Sequence, residues 1–97
     1  MRAARQWFVY ILRCADGTLY TGITTDLARR IEAHNAGGRH GARYTLGRRP
    51  VALAYCETAT DRSAATRREA ALKRLSRAAK WALCAGADGL NSESLNG

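Results

Sequence analysis

The chain has 97 residues, which is the size of one small domain. Its apolar content of 46% is enough for a small core, so a disordered tail is excluded. The formal net charge is +8, from 16 Lys and Arg against 8 Asp and Glu, which makes nucleic acid the leading class of partner. No apolar run approaches the ~20 residues of a membrane span, and the N-terminus does not fit a signal peptide. We therefore expect no membrane association.

The number and spacing of the cysteines indicate a reducing compartment. Cys14, Cys56 and Cys84 are widely spaced and form no CxxC pair, which argues against a zinc site and against a disulfide framework. A reducing cytoplasm fits this pattern, with the three thiols acting as small hydrophobic side chains.

The predicted elements begin with a hairpin and a helix. Residues 7–12 are apolar at every position and predict a central strand that is covered on both faces. Residues 15–17 have the composition of a turn, and residues 18–23 form the second strand. Residues 24–26 offer side-chain oxygens as the N-cap of a helix from about residue 27 to residue 35.

The middle of the chain is predicted to be a loop and a third strand. Residues 36–50 contain four glycines, four arginines and the only proline, which is typical of a loop. Residues 51–57 predict a strand whose alternate residues share one face, namely Val51, Leu53 and Tyr55.

Two helices complete the prediction. The first is capped by Asp61 or Ser63 and ends near Leu75, and the second is capped by Ser76 and ends near Cys84. The element order is therefore ββαβαα. It predicts an α+β fold with a three-stranded, mostly antiparallel sheet flanked by helices. We expect residues 1–84 to form a single domain and residues 85–97 to form a flexible C-terminal tail.

The length of the hairpin loop decides whether two tyrosines meet. With a two-residue loop, Tyr10 and Tyr20 lie on opposite faces of the sheet. With a three-residue loop ending at a left-handed Gly17, position 12 pairs with 20 and position 10 pairs with 22, so both tyrosines share a face. Gly22 then leaves space opposite Tyr10. The position of Gly17 favours this second register.

The first helix brings two polar residues to the sheet. At 100° per residue, Leu27 and Ile31 define its buried stripe, His34 lies between them, and Arg30 lies at its edge. Arg29 points to solvent. Arg30 and His34 are therefore expected to face the tyrosines, although His34 could also be a histidine at the edge of the core without a role in chemistry.

Glu69 is an acidic residue in a strongly basic helix. It lies on the rim of the apolar stripe of that helix. It could be a counter-charge, since Lys73 lies four residues further on, or it could be the ligand of a divalent metal ion.

The arginine-rich loop has two interpretations as well. Its four arginines surround Tyr44, and cations beside an aromatic ring suit phosphate contact with base stacking. The alternative is a solvated loop without a binding role.

These residues together resemble a known family. Val9-Tyr10-Ile11, followed by Tyr20-Thr21-Gly22 and then by residues 24–30 with Arg30 at their end, resemble the GIY-YIG nuclease superfamily. The similarity covers roughly residues 6–84 and is greatest to small single-domain bacterial members. The resemblance implies hydrolysis of DNA phosphodiester bonds with one divalent metal ion, Mg²⁺ or Mn²⁺.

The resemblance also implies a role for each residue. Tyr20 would be the general base or would hold the attacking water, with Tyr10 and His34 assisting it. Arg30 would bind the scissile phosphate, and Glu69 would bind the metal ion. A tyrosine can act as a base only if nearby positive charge lowers its pKa, and Arg30 and the metal ion have that sign. We expect the substrate to be bound by Gly22, Arg39, Arg43, Tyr44 and Lys73.

The function expected from this resemblance is a DNA endonuclease of repair or turnover. Because the sequence contains no appended DNA-binding domain, specificity for sequence should be low, and a protein partner could supply it. The alternative is a nucleic-acid-binding module on the same fold that does not cut, or that cuts only with a partner. RNA stays an alternative substrate.

Overall fold

The sheet has three antiparallel strands, as predicted. The structure is a computed structural model that describes residues 6–37 and 42–96, with the backbone alone for 87–96. The strands are β1 (Trp7–Cys14), β2 (Leu19–Thr24) and β3 (Val51–Ala59), in the order β2-β1-β3. The central strand β1 has four consecutive buried residues, from Val9 to Leu12. Its unbroken apolar run is therefore explained by cover on both faces.

Four helices accompany the sheet in the described part of the chain. They are α1 (Leu27–Ala36), α2 (Arg43–Leu46), α3 (Arg62–Lys73) and α4 (Arg77–Asn96). The one-turn helix α2 lies inside the segment that we predicted to be loop. Helix α4 continues beyond the predicted end at Cys84 as far as Asn96, and no proline interrupts it.

Side-chain caps start three of these helices. Asp26 accepts a hydrogen bond from the Arg29 backbone N–H at 3.1 Å, which confirms it as the N-cap of α1. Asp61 accepts from Ala64 at 2.8 Å at the start of α3, so Asp61 and not Ser63 is the cap. The Ser76 hydroxyl accepts from the backbone N–H of residue 79 at 3.1 Å, as predicted for α4. Each bond satisfies a helix N–H group that has no partner within its helix.

The hairpin adopts the three-residue loop. Gly17 has φ +82°, and the backbone N–H of Cys14 donates to the carbonyl of Thr18 at 2.8 Å. Residue 10 consequently pairs with Gly22, and residue 12 pairs with Tyr20. The register that places both tyrosines on one face is confirmed.

The helices cover the two faces of the sheet separately. One face carries Tyr10, Leu12 and Cys14, and α1 packs on it through Leu27 and Ile31. The other face carries the residues that contact α3 and α4, and that core consists of Val9, Ile11, Ala65, Leu72 and Cys84. The two tyrosines therefore face α1, whereas Glu69 belongs to a helix of the opposite layer.

The third strand contains an irregularity that the sequence pattern did not predict. Ile11 pairs with Tyr55, but Leu12 pairs with Leu53, so Ala54 is an extra residue in β3. This bulge moves Tyr55 to the opposite face from Leu53. The prediction that Val51, Leu53 and Tyr55 share a face is therefore wrong for Tyr55.

The prediction that the three cysteines act as small hydrophobic side chains has a mixed outcome. Cys14 and Cys84 are buried as predicted, but Cys56 is exposed. Within the described residues, no helix is long and apolar enough to cross a membrane.

Candidate active site

Three aromatic side chains form a cluster on the α1 face of the sheet. The ring centroids of Tyr10 and Tyr20 are 6.4 Å apart, and that of His34 lies 5.2 Å from Tyr20 and 6.2 Å from Tyr10. Tyr10 and His34 are fully buried, whereas Tyr20 is partly exposed. Of the three rings, Tyr20 is therefore the one that a solute can reach.

A chain of buried hydrogen bonds runs through this cluster. The Tyr10 hydroxyl lies 3.1 Å from Nε2 of His34, and Nδ1 of His34 lies 2.9 Å from Oγ1 of Thr45. The Thr45 hydroxyl donates to the carbonyl of Ala42 at 3.0 Å. Thr45 is fully buried as well. The network therefore joins β1, α1 and α2.

Burial controls the protonation of the two buried rings. It lowers the pKa of His34 to about 4, and the positive charge of Arg30 acts in the same direction. Burial also raises the pKa of Tyr10, and this outweighs the lowering effect of a hydrogen bond from Arg30. At neutral pH, His34 is therefore an uncharged imidazole and Tyr10 keeps its proton.

Arg30 and Glu69 approach the cluster from different layers. Arg30 is partly buried on α1 and donates a hydrogen bond to the Tyr10 hydroxyl. Glu69 is partly buried on α3, and its negative charge is the smallest of the influences that raise the pKa of Tyr10. Lys73 lies 3.5 Å from the Glu69 carboxylate and is itself more than half exposed, so the predicted i,i+4 pair is present.

The ring of Tyr10 leaves no space for a side chain at position 22, which is a glycine. A Cβ atom at this position would lie 2.6 Å from the Tyr10 hydroxyl oxygen and 2.7 Å from its ring carbon. The space opposite Tyr10 that we predicted is therefore filled by the tyrosine itself. Any side chain at position 22 would displace the hydroxyl that contacts His34.

The segment around α2 covers Tyr20. The ring of Tyr44 stacks on that of Tyr20 at 5.7 Å, and the guanidinium of Arg48 lies 4.2 Å above Tyr44. Arg48 also forms an ion pair of 3.0 Å with Asp16 in the hairpin turn. Arg43 is exposed, and Arg39 lies outside the described residues. Tyr44 therefore already uses its ring in contacts within the protein.

An open cleft of about 960 Å³ lies along α1. Arg29 and Arg30 contribute to its lining, as do the acidic side chains of Asp26 and Glu32. None of the three clustered rings lines it. Arg30 therefore connects the cleft to the buried network.

The family follows from comparison with known proteins. Residues 6–82 match the family model of the GIY-YIG catalytic domain. The chain belongs to the GIY-YIG family. Membership implies nuclease activity and a nucleic-acid substrate, and it confirms the resemblance inferred from Tyr10, Tyr20 and Arg30.

The similar proteins fall in a small GIY-YIG group called UPF0213. The UPF0213 protein DP2720 of Desulfotalea psychrophila is 66% identical over 70 residues, which are 72% of this chain and 63% of that protein. The chain thus spans slightly less than two thirds of that relative. The UPF0213 protein VNG_2274C of Halobacterium salinarum is 55% identical over 75 residues, which are 77% of this chain and 95% of that protein.

Solved structures agree with the fold. The solution structure of the UPF0213 protein BH0048 from Bacillus halodurans has 42% identity and a TM-score of 0.52, over 82% of this chain and 83% of that one. The solution structure of EF2693 from E. faecalis has 37% identity and a TM-score of 0.55, over 86% of this chain and 88% of that one.

GIY-YIG nucleases typically use a divalent metal ion. The question is therefore whether the side chains of this site could bind one. Among the described residues, no three His, Cys, Asp or Glu side chains are close enough to form a metal site. Mg²⁺, however, keeps several waters and is commonly held by one or two carboxylates together with substrate phosphate. Glu69 fits that pattern as a single carboxylate ligand.

Sequence reasoning missed Thr45 and the pair formed by Asp16 and Arg48. Thr45 lies 11 residues after His34, and no helical or strand period connects the two positions. Asp16 and Arg48 are even further apart in sequence. The composition of residues 36–50 showed that the segment is rich in arginine, but it did not indicate the one-turn helix α2.

Proposed function

We propose that this GIY-YIG domain, residues 1–84, is a metal-dependent endonuclease that hydrolyses DNA phosphodiester bonds. The observation that carries the proposal is the cluster of Tyr10, Tyr20 and His34 with Arg30 beside it, on which Glu69 acts electrostatically from the opposite face of the sheet. A partly exposed tyrosine, a buried Tyr–His pair, an arginine and a carboxylate come from four different elements, namely Tyr20, Tyr10, His34, Arg30 and Glu69.

The proposed reaction is the attack of water on the phosphorus of a phosphodiester. The water oxygen forms a new P–O bond, the ester P–O bond breaks, and the leaving sugar oxygen takes up a proton. Negative charge grows on the phosphate oxygens during this step. A guanidinium such as that of Arg30 binds these oxygens and stabilises the charge.

The two tyrosines are assigned different tasks. Tyr10 is buried and bonded to both His34 and Arg30, so it holds Arg30 in place and does not contact water. Tyr20 is partly exposed beside them, which supports its role in holding the attacking water or accepting its proton. His34 stays uncharged because its pKa is about 4.

Glu69 is assigned as the protein ligand of Mg²⁺ or Mn²⁺. When bound, such an ion neutralises phosphate charge and lowers the pKa of a bound water. The partial burial of Glu69 and its effect on Tyr10 support this assignment. Lys73 would then exchange its contact with Glu69 for contact with substrate phosphate.

The substrate is proposed to be DNA of low sequence specificity. The net charge of +8 supports binding to a phosphate backbone, with Arg39 and Arg43 as further contacts. Tyr44 and Gly22 border the site and contact Tyr20 and Tyr10, respectively. We place this activity in cytoplasmic DNA repair or turnover, with a protein partner supplying specificity.

Nicking of supercoiled plasmid tests the proposal. Wild-type protein should nick in Mg²⁺ or Mn²⁺ and stop in EDTA. Glu69→Gln and Arg30→Ala should each lower the rate on the order of 100-fold, the typical cost of losing one electrostatic contact to the transition state. Glu32→Gln and Arg29→Ala are the matched controls, because they make the same charge changes at exposed positions of α1.

Two outcomes would contradict the assignment. If Glu69→Gln and Arg30→Ala nick as fast as their controls, the site is wrongly placed. If Tyr20→Phe keeps full activity, Tyr20 has no part in the reaction.

The second candidate function is binding of nucleic acid without independent cleavage. Two contacts favour it: Lys73 neutralises Glu69, and Tyr44 covers the ring of Tyr20. Salt-sensitive DNA binding without nicking under any metal condition would support this function. The same result would also fit a nuclease that cuts only together with a partner protein.

A further inference from the structure

Thr45 is a buried hydroxyl that the proposed reaction leaves without a role. It comes from the one-turn helix α2 and is inaccessible to solvent. Its oxygen lies 2.9 Å from Nδ1 of His34 and 3.0 Å from the carbonyl oxygen of Ala42. A buried hydroxyl that makes no hydrogen bonds is costly, so both contacts have to be satisfied by the available protons.

Counting protons assigns the tautomer of His34. A carbonyl oxygen can only accept, and a hydroxyl has a single proton, so the proton of Thr45 points to Ala42. The Thr45 oxygen must then accept the proton on Nδ1 of His34. An uncharged imidazole carries one N–H group, so Nε2 has a lone pair and accepts from the Tyr10 hydroxyl at 3.1 Å.

The other tautomer satisfies fewer of these contacts. A proton on Nε2 would force Thr45 to donate to Nδ1, which would leave its oxygen and the Ala42 carbonyl oxygen facing each other at 3.0 Å without a proton. In its favour is one contact of 3.4 Å from the Ala42 backbone N–H to Nδ1. That distance is long for a hydrogen bond, and the three shorter contacts outweigh it.

The tautomer also decides what Tyr10 presents to Arg30. With Nε2 as an acceptor, the Tyr10 proton points to His34, and the oxygen lone pairs are available to the guanidinium of Arg30. With Nε2 as a donor, His34 and Arg30 would both donate to the same oxygen. The proton of Tyr10 would then have to point away from His34.

We infer that Thr45 is a positioning residue that fixes His34 with its proton on Nδ1, and that Tyr10 is thereby held as a donor to His34 and an acceptor from Arg30. The tautomer itself does not depend on the proposed nuclease activity. Only its effect on cleavage rests on that proposed function.

Nitrogen NMR of the imidazole rings tests the inference directly. In protein labelled with ¹⁵N at histidine, the protonated and unprotonated ring nitrogens of a neutral imidazole have well-separated resonances. The His40→Gln variant removes the only other histidine and so assigns the signals. At pH 7 the wild type should show a protonated Nδ1 and an unprotonated Nε2 at His34. A protonated Nε2 would overturn the inference.

Variants of Thr45 complete the test. Thr45→Val should lose the pure Nδ1–H signature, and Thr45→Ser, which keeps the hydroxyl, should retain it. Thr66→Val is the control, because it removes an exposed hydroxyl that also donates to a carbonyl, at 2.8 Å on α3. If Thr45→Val retains the wild-type signature, the inference is wrong. If that variant does not fold, Thr45→Ala replaces it, and the wild-type spectrum can still overturn the inference.

Cleavage rates distinguish the effect of Thr45 on the tautomer of His34 from its effect on the proposed nuclease activity. Thr45→Val should lower the nicking rate on the order of 10-fold to 100-fold, as for other residues that orient a functional histidine, while Thr45→Ser and Thr66→Val stay near the wild-type rate. Wild-type protein that shows the expected tautomer but never cuts DNA would contradict the proposed function and leave the inference about Thr45 standing.

Discussion

Acid should destabilise this protein in part through His34. The pKa of His34 is about 4 in the folded protein against 6.5 for an ordinary histidine, because the ring is buried and faces Arg30. The unfolded chain therefore takes up a proton as the pH falls below 6.5, whereas the folded chain takes it up only near pH 4. Stability is highest above pH 6.5 and falls as the pH approaches 4. The difference of about 2.5 pH units corresponds to ~3 kcal/mol.

Urea unfolding at several pH values between 7 and 4 measures this loss. His34→Gln is the comparison, since it cannot titrate. Other groups, such as Asp16, whose pKa is lowered by hydrogen bonds from Thr18, contribute to both proteins and cancel in the difference. The wild type should lose ~3 kcal/mol more than the variant over this range. Parallel stability curves for the two proteins would refute the argument that His34 is buried in the uncharged state.

Two further predictions concern packing and binding. Gly22→Ala should lower the free energy of unfolding by about 1–3 kcal/mol and abolish nicking, because the added Cβ would lie 2.6 Å from the Tyr10 hydroxyl. The control is Gly47→Ala, which should behave like the wild type because a Cβ at that position meets no atom within 4 Å. Full activity of Gly22→Ala would show that the position of Tyr10 is not required. DNA affinity should fall steeply as the salt concentration rises. If the Arg43 side chain binds a phosphate, Arg43→Ala should reduce the slope of log K against log salt concentration by about 1. An unchanged slope would show that Arg43 is not part of the binding surface.

The local pattern of the sequence was sufficient for the sheet and for the start of each long helix. The apolar run of β1, the position of Gly17 and the capping side chains of Asp26 and Asp61 each act over a few residues. For that reason the strand order, the hairpin register and the shared face of Tyr10 and Tyr20 could be predicted. The family could be recognised from the same segment, since both tyrosines and Arg30 lie within 21 residues.

Contacts between distant segments could not be predicted in this way. The bulge at Ala54 depends on how β3 fits against β1, so alternation along β3 gave the wrong face for Tyr55. The composition of residues 36–50 indicated a loop, and the one-turn helix α2 in it contacts His34 and the hairpin turn, which are distant in sequence. Local propensity is too weak to specify so short a helix.

The sequence by itself determined which chemical groups this protein carries and which face of the sheet holds them. Tyr10, Tyr20 and Arg30 follow from the spacing of a hairpin and one helix. The tertiary structure decided the protonation of Tyr10 and His34 and the directions of their hydrogen bonds, because these depend on burial and on Thr45, which reaches His34 from another part of the chain. A pKa and a tautomer are properties of the packed environment, and no run of neighbouring residues encodes that environment.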